Sequence, residues 1–222
     1  MRPYLLEECH EVLEALDATD DERTCEELGD LLFQLVFLAQ LAQERGAFSL
    51  DQVAAGITQK MVERHPHVFA GSAESAPGGI AAWENRKRKA GRSRIDGVPG
   101  TLPALVRAHR VAEKAGAVGF DWPDLANVRA KVTEEIAELD EAIARGNPSA
   151  VAHEYGDVLL ALANLGRFIG VSGEDALRMA NVRFERRFRG VEAHAGTAGI
   201  EVGDAGLAQL EAWWQAVKRE EA

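Results

Sequence analysis

Apolar residues recur with helical spacing along most of this chain. Near the N-terminus, Leu5, Cys9, Val12 and Leu16 follow one another at intervals of three or four residues, with acidic residues between them. This spacing is typical of a helix that buries one face. The pattern therefore predicts an amphipathic helix that begins almost at the first residue.

A second, more apolar helix is predicted after the turn Thr19-Asp20-Asp21, in which an Asp side chain can cap the helix N-terminus. Its sequence continues as ELGDLLFQLVFLAQLAQERG, and Gly46 ends it. Beyond Asp30 apolar side chains lie nearly all round this helix. We therefore expect it to be central in a helical bundle.

The remaining pattern is also helical. A third helix is predicted from Ser49 to about Arg64, because Pro66 disfavours helical backbone at the residue before it. Loop composition over 70–79 and the linker IDGVPG then indicate a domain boundary, and a further helix is expected over 102–117. No segment sustains the period-two alternation of a strand, so the predicted fold class is all-α.

An internal repeat relates the two halves of the chain, which we call copy 1 and copy 2. A constant offset of 127 pairs acid with acid: Glu8 with Glu135, Glu11 with Glu138, Glu27 with Glu154, and Asp30 with Asp157. The repeat predicts two tandem helical domains, residues 1–97 and 98–222, each a half-bundle completed by dimerisation. Copy 2 has more than thirty residues before its first acids and copy 1 only six, so we expect copy 2 to be the structurally complete unit.

Composition narrows the functional classes. The net charge of −11 and sequence pI near 5.1 argue against a broad surface for nucleic acid or anionic membrane. Only two cysteines are present, Cys9 and Cys25, which indicates a reducing compartment. The most apolar run, 31–42, is shorter than a membrane span, and the N-terminal sequence is not that of a signal peptide. We expect a cytoplasmic protein.

The repeated acids are the main chemical signal. Glu135 and Glu138 are i,i+3 neighbours on one helix face, as are Glu154 and Asp157 on the next helix, and copy 1 keeps the same spacing. Solvated acids on a helix surface are the alternative interpretation. However, the second pair directly precedes a very apolar stretch, where a cation is needed to offset the repulsion. Oxygen ligands of this kind select Mg²⁺, with Mn²⁺ as the alternative.

The motifs EECHE with EELGD, and EEIAE with HEYGD, resemble the E-x-x-E and E-x-x-D signature of the MazG family, nucleoside triphosphate pyrophosphohydrolases of the all-α NTP pyrophosphatase superfamily. The stretches RPYLLEE, ELGDLLFQLVF, ERHPHVFA, LPALVRAHRVAEKAGAVGFDW and RFERRFRGVE extend the resemblance over nearly the whole chain. It implies hydrolysis of nucleoside triphosphates between the α and β phosphorus atoms, and a homodimer. We expect a broad base range.

By motif, the resemblance implies eight Mg²⁺ ligands: Glu8, Glu11, Glu27, Asp30, Glu135, Glu138, Glu154 and Asp157. It implies catalytic roles for Glu135 and for Arg183, which stands where the family generally has Lys. Glu134 and Glu7, beside the ligands, are candidates for the base that activates water, or are simply solvated helix residues.

Further side chains are candidates for contact with the substrate: Lys60, Asn181, Arg187, Trp83, Lys87, Trp214 and Lys218. Lys60 matches Arg183 in the repeat, and Asn181 resembles the family's Asn before its Lys. The spacing W-x-x-x-K puts an indole and an ammonium on one helix face, and the resemblance suggests contacts to base and phosphate. Packing is the alternative for both Trp residues, and surface ion pairing for Arg187.

Two other functions remain open from the sequence. A narrower enzyme of the same superfamily, which hydrolyses dUTP or phosphoribosyl-ATP, would share the acids. A helical regulator that binds metal or nucleotide without turnover would share the fold. The sequence does not specify base preference, metal number per site or which copy is active.

Overall fold

A computed structural model describes residues 2–69 and 93–221. The chain divides into two compact units, residues 1–88 and 89–222, and all regular secondary structure in the described ranges is helical. The all-α prediction is confirmed. The predicted boundary between 97 and 98 stays a prediction, and the candidates Trp83 and Lys87 lie outside the described residues.

The first unit is built on an antiparallel helix pair. Its helices are α1 (Arg2–Ala18), α2 (Asp21–Glu44), α3 (Leu50–Arg64) and the short α4 (Pro66–Phe69). α1 packs along α2, and α3 contacts α2. The predicted ends are confirmed: the Asp20 side chain accepts from the backbone N–H of Arg23, and Gly46 adopts a left-handed φ of 69° after α2.

The prediction that α2 is central in a bundle stays a prediction, because much of the apolar surface of this helix is exposed in the single chain. Leu32 and Phe33 are 60% and 61% exposed, because α1 covers one side of α2 and α3 covers only part of the rest. The fully buried residues of α2 are the small Ala39 and Ala42. The apolar circumference of α2 therefore lacks a partner within the described part of its unit.

The second unit contains α5 (Ala104–Gly116), α6 (Leu125–Arg145), α7 (Pro148–Phe168), α8 (Gly173–Ala198), a 3₁₀ turn (Val202–Asp204) and α9 (Leu207–Glu220). α6 and α7 form one helical hairpin, α8 and α9 form another, and α5 packs on both α7 and α8. The first hairpin turns tightly because Gly146 takes a left-handed φ of 68° and Asn147 caps α7.

The buried core of both units consists of small side chains. Val128 is the largest side chain that is fully buried among the described residues. Larger apolar side chains on α7 and α8 are half exposed, for example Leu160 at 49% and Phe184 at 58%. No helix in the described ranges is long and apolar enough to span a membrane.

Candidate active site

Three carboxylates of copy 2 converge between α6 and α7. Glu135 on α6 and the pair Glu154 and Asp157 on α7 have side-chain oxygens within 4.8 Å of one another. The i,i+3 spacing puts the α7 pair on one face, and the hairpin brings that face against α6. Glu135 is the only buried charged residue in the described part of the chain, with 7% exposure. We call these three residues the copy 2 cluster.

Lys131 provides the positive charge at this cluster. Its Nζ lies 2.8 Å from Glu135 Oε1 and 2.8 Å from Glu134 Oε1, one turn along α6. Hydrogen bonds to Glu134 and then to Glu135 raise the pKa of the Lys131 ammonium above its ordinary value. On α7, His153 Nε2 lies 3.4 Å from Asp157 Oδ2. The cluster is thus in contact with Lys131 at its α6 side.

Glu138, the fourth acid predicted for copy 2, is exposed and lies outside the 4.8 Å group. The carboxylates of that group nevertheless affect the pKa of Glu138. Loss of solvation raises the pKa of the Glu138 carboxyl, and the Glu135 carboxylate raises it further, with a smaller contribution from Glu154. A cation between these acids would remove the repulsion.

Copy 1 repeats the cluster with different surroundings. Glu8, Glu27 and Asp30 also place their oxygens within 4.8 Å. Here Arg23 Nε donates to Glu27 at 3.2 Å and Gln34 Nε2 donates to Glu8 at 3.4 Å. The fourth predicted acid, Glu11, lies outside the group. Its carboxyl pKa is raised by desolvation and then by repulsion from Glu27.

The donor set of both clusters fits a hard divalent cation. All the donors are carboxylate oxygens from two adjacent helices, which is the ligand type that Mg²⁺ and Mn²⁺ prefer. Desolvation, and then repulsion from the Glu135 carboxylate, raise the pKa of the neighbouring Glu138 carboxyl. The chain therefore has residues that could hold such an ion in each copy.

A pocket of about 450 Å³ opens beside the copy 2 cluster. Glu135, Asp157 and Lys131 form part of its lining, and most of the remaining lining is apolar. Trp122 and Phe120 contribute aromatic rings from the loop between α5 and α6. We call this cavity the Trp122 pocket.

The predicted cationic and aromatic candidates of copy 2 gather on the other hairpin. Arg187 Cζ lies 6.0 Å from the ring centroid of Trp214, whose ring packs against Phe184 at 5.3 Å. Arg187 Nε also donates to Glu221 at 2.8 Å. Asn181, Arg183 and Lys218 are exposed on α8 and α9. Among the described residues, no hydrogen bond or ion pair joins these five candidates to the copy 2 cluster.

The remaining candidate residues lie outside the copy 2 cluster and the α8–α9 group. Lys60 is exposed on α3 of the first unit. Glu134 is exposed on α6 and bonds to Lys131, and Glu7 is exposed on α1. Their assigned roles stay predictions.

Sequence reasoning missed Lys131 and the Trp122 pocket. The i,i+4 spacing of Lys131 and Glu135 was a visible signal, since such pairs meet on a helix surface. The two aromatic residues in GFDWP were a weaker signal, because a turn sequence does not show which helices will surround it.

Comparisons with known proteins agree with the repeat. The family model described as the MazG nucleotide pyrophosphohydrolase domain matches residues 1–69 and 124–191. The chain is 44% identical over 227 residues to the nucleoside triphosphate pyrophosphohydrolase of Escherichia coli, covering 99% of this chain and 86% of that protein. It is 40% identical to the nucleoside triphosphate pyrophosphohydrolase/pyrophosphatase MazG of Thermotoga maritima, covering 98% and 85%. The uncharacterized protein YabN of Bacillus subtilis is 39% identical, with 100% of this chain and 46% of that protein covered.

Proposed function

The chain belongs to the MazG nucleotide pyrophosphohydrolase family, and from that premise we propose how and where it hydrolyses nucleoside triphosphates to nucleoside monophosphates and pyrophosphate. The reaction takes place in copy 2, with Mg²⁺ held by Glu135, Glu154 and Asp157 and approached by Glu138. One observation carries this assignment: the copy 2 cluster and Lys131 line the Trp122 pocket, so a metal site and a ligand-sized cavity are adjacent.

The metal and the acids have separate tasks in this proposal. Mg²⁺ held by these carboxylates would supply charge neutralisation and orientation for the triphosphate. Glu134, exposed beside the cluster, accepts a proton from the attacking water as the bond between the α phosphorus and the bridging oxygen breaks. Lys131 forms ion pairs with Glu134 and Glu135 and offsets part of their negative charge.

The cations of α8 and α9 supply the remaining charge for a triphosphate. Arg183, Arg187 and Lys218 are donors without a competing acceptor function, which suits phosphate oxygens. Asn181 lies on α8 near them and can donate to ribose or phosphate. In copy 1, Lys60 is the corresponding donor. Because α8 and α9 form a hairpin of their own, these residues would contact the substrate from other helices than those that carry the copy 2 cluster.

A homodimer completes the half-bundles in this proposal. Large apolar side chains on α2, α7 and α8 are half exposed in the single chain, and such faces are normally covered by another copy in symmetric oligomers. The base range is broad, and copy 2 carries most of the turnover because its cluster lies beside the Trp122 pocket.

The activity is tested by incubating the protein with ATP, GTP, CTP, UTP and dUTP, with Mg²⁺ or EDTA, and measuring pyrophosphate and nucleoside monophosphate. We expect pyrophosphate from several nucleotides, and none with EDTA. Release from dUTP alone would favour the narrower enzyme, and phosphoribosyl-ATP is assayed as the other narrow substrate. Binding of nucleotide without any release would favour the regulator.

The choice of copy is tested by paired substitutions. Glu154→Gln with Asp157→Asn should lower kcat/KM more than about 100-fold, because even outer-shell changes around metals cost 10- to 100-fold. Glu27→Gln with Asp30→Asn should leave most of the activity. Glu141→Gln, an exposed acid on α6 paired with Arg145, is the control for loss of a carboxylate. Activity that survives the first pair and is lost with the second would reverse the assignment.

A further inference from the structure

Glu221, directly after α9, joins the two helices of the second hairpin. Its Oε1 accepts a hydrogen bond from Arg186 Nε and its Oε2 accepts one from Arg187 Nε, each at 2.8 Å. The Glu221 side chain is only 20% exposed. The hydrogen bond from Arg187, more than that from Arg186, lowers the pKa of its carboxyl. Glu221 is therefore an ionised carboxylate that holds two guanidinium groups of α8 at once.

The Arg187 guanidinium is held from two sides. Its Nε donates to Glu221, and its Cζ lies 6.0 Å from the ring centroid of Trp214. The Trp214 ring in turn packs against Phe184 at 5.3 Å. In the described part of the chain, no other hydrogen bond or ion pair engages this guanidinium. The Nη groups, which belong to the planar fork that matches phosphate oxygens, are therefore left available to a ligand.

Two opposing effects follow from a carboxylate at this place. Glu221 shares one face of α9 with Trp214 and Lys218, because residues at i, i+4 and i+7 follow one side of a helix. Its negative charge alone would oppose the binding of phosphate beside these residues. Orientation of Arg187 acts in the other direction, because a side chain that is already fixed loses less conformational freedom when it binds.

We propose that Glu221 is a positioning residue of the reaction, which holds Arg187 by its Nε so that the Nη groups meet the phosphates of the substrate. This inference rests on the proposed function, in which Arg187 contacts the triphosphate. Orientation outweighs repulsion here, because the charge of the carboxylate is shared by two guanidinium groups. Glu221 thus acts through Arg187 and makes no contact with the substrate itself.

Copy 1 does not carry this arrangement. The repeat aligns Glu63 with Arg186 and Ala90 with Glu221, at the offsets of 123 and 131 that fit the helices concerned. Copy 1 therefore has an acid where copy 2 has the second arginine, and a methyl group where copy 2 has the carboxylate. The positioning device is specific to copy 2, which is also the copy to which we assign turnover.

An ion pair that only ties α9 to α8 is the competing interpretation. α8 offers a comparison in Arg189, which donates to Glu185 at 3.3 Å. Both of those side chains are well exposed, and pairs of this kind contribute little to stability. Arg187 is instead 26% exposed and lies against the Trp214 ring. Removal of the Glu221 carboxylate therefore changes the direction of a guanidinium in packed surroundings.

The experiment compares wild type, Glu221→Ala, Arg187→Lys and the variant with both changes. We measure KM and kcat for ATP, and the dissociation constant of Mg²⁺-tripolyphosphate by isothermal titration calorimetry. Glu221→Ala should raise KM and the dissociation constant together by about 3- to 10-fold, within the range of coupling in one ion-pair network. The kcat should change less than about twofold, because the weakened contact is made in both the ground state and the transition state.

Arg187→Lys separates orientation from charge. Lysine keeps the positive charge but lacks the planar fork that Glu221 orients. In the Arg187→Lys background, Glu221→Ala should therefore change KM less than about twofold. Glu185→Ala, which removes the acid of the exposed Arg189 pair on α8, is the matched control and should keep the wild-type KM and dissociation constant.

The outcomes distinguish this inference from its alternatives and from the proposed function. A purely structural role would lower the urea midpoint and the active fraction of Glu221→Ala while KM stays unchanged, which would overturn the inference. A lower KM would overturn it as well, because the carboxylate would then compete with phosphate. So would an equal rise of KM in the Arg187→Lys background. Absence of pyrophosphate release by wild type overturns the proposed function instead, and the tripolyphosphate dissociation constants still decide whether Glu221 orients Arg187 toward phosphate.

Discussion

Glu135 is a charged side chain with 7% exposure, and its charge is balanced by Lys131 at 2.8 Å. Burial of a carboxylate without a partner is costly, so the pair is required as long as no metal is bound. Once a divalent cation binds, it takes over this role. The lysine and the metal are therefore alternative partners of the same carboxylate, which ties stability to metal binding.

Replacing Lys131 with Met tests this relation. We expect a loss of about 1 to 3 kcal/mol in the free energy of unfolding, the usual effect of leaving a buried polar group unsatisfied. Mg²⁺ should recover part of this loss. Urea denaturation with EDTA and with Mg²⁺ measures both effects. Arg145→Met is the matched control, because the Arg145–Glu141 pair has the same spacing on α6 but is exposed, and should cost less than about 1 kcal/mol. Equal losses in the two variants would contradict the prediction.

The ion pair between Asp121 and Arg167 gives a pH dependence whose sign is fixed. The hydrogen bond from Arg167 lowers the pKa of the Asp121 carboxyl below the ordinary 3.8. The ion pair therefore stabilises the fold fully above that pH, and the contribution is lost as pH falls through the lower folded value. In Asp121→Asn, the deficit in urea midpoint relative to wild type should be largest near pH 6 to 7 and should shrink below about pH 4. Arg167→Met should show the same profile, and a deficit that is constant with pH would exclude this explanation.

At the scale of single residues, the sequence indicated the acids but not their environment. Periodicity places Glu154 and Asp157 on one face, and the repeat pairs them with Glu27 and Asp30. Burial of Glu135 depends on how closely α6 and α7 pack, which residue spacing does not specify. For the same reason, Glu138 was grouped with the other ligands although it is exposed in the structure.

Among secondary-structure elements, the helices and their caps were predictable because capping depends on nearby residues. Asp20, Ser49 and Gly46 act where the sequence indicated. The place of α2 was not predictable from its apolar character, since that character does not distinguish burial within one chain from burial against another. The loop between α5 and α6 was identified only as a turn, because its contact with α7, between Asp121 and Arg167, joins residues that are distant in sequence.

The close approach of α5 to that loop gives an element-scale prediction. A Cβ added at Gly116 would lie 2.6 Å from Asp121 Oδ2 and 3.2 Å from Asp121 Cγ. Gly116→Ala should therefore displace the Asp121 side chain, which pairs with Arg167, and lower the free energy of unfolding by about 1 to 3 kcal/mol, the usual cost of overpacking, as measured by urea denaturation. Gly196→Ala is the matched control. That glycine also lies in a helix, but no atom is within 4 Å of its added Cβ, so Ala should stabilise by roughly 0.5 to 1 kcal/mol. A urea midpoint that stays at the wild-type value in Gly116→Ala would show that the added methyl group is accommodated without displacing Asp121.

In the molecule as a whole, the duplication has produced two similar acidic clusters with different neighbours. Copy 2 combines its cluster with Lys131 and a pocket, whereas copy 1 has Tyr4 at the position of Lys131 and Gln34 at that of Ala161. Both copies have exposed apolar helix faces, and a second copy of the chain would be needed to bury them.

The apolar face of α7 provides the test of the proposed dimer. Tyr155, Leu159 and Leu162 follow one another at helical spacing and are 56%, 37% and 44% exposed. If a second copy buries this face about a two-fold axis, Leu162→Glu removes two apolar contacts at once, roughly 3 to 6 kcal/mol or about 10²- to 10⁴-fold in the dimer Kd. Sedimentation equilibrium should then show monomers at concentrations where wild type is dimeric. Leu207→Glu, at an 82% exposed site on α9, is the matched control and should remain dimeric. The equivalent change in copy 1, Leu35→Glu, shows whether the face of α2 is buried by the partner as well. A dimer that persists in both Leu162→Glu and Leu35→Glu would place the interface elsewhere, because a buried glutamate pair at the axis could not be accommodated without loss of affinity.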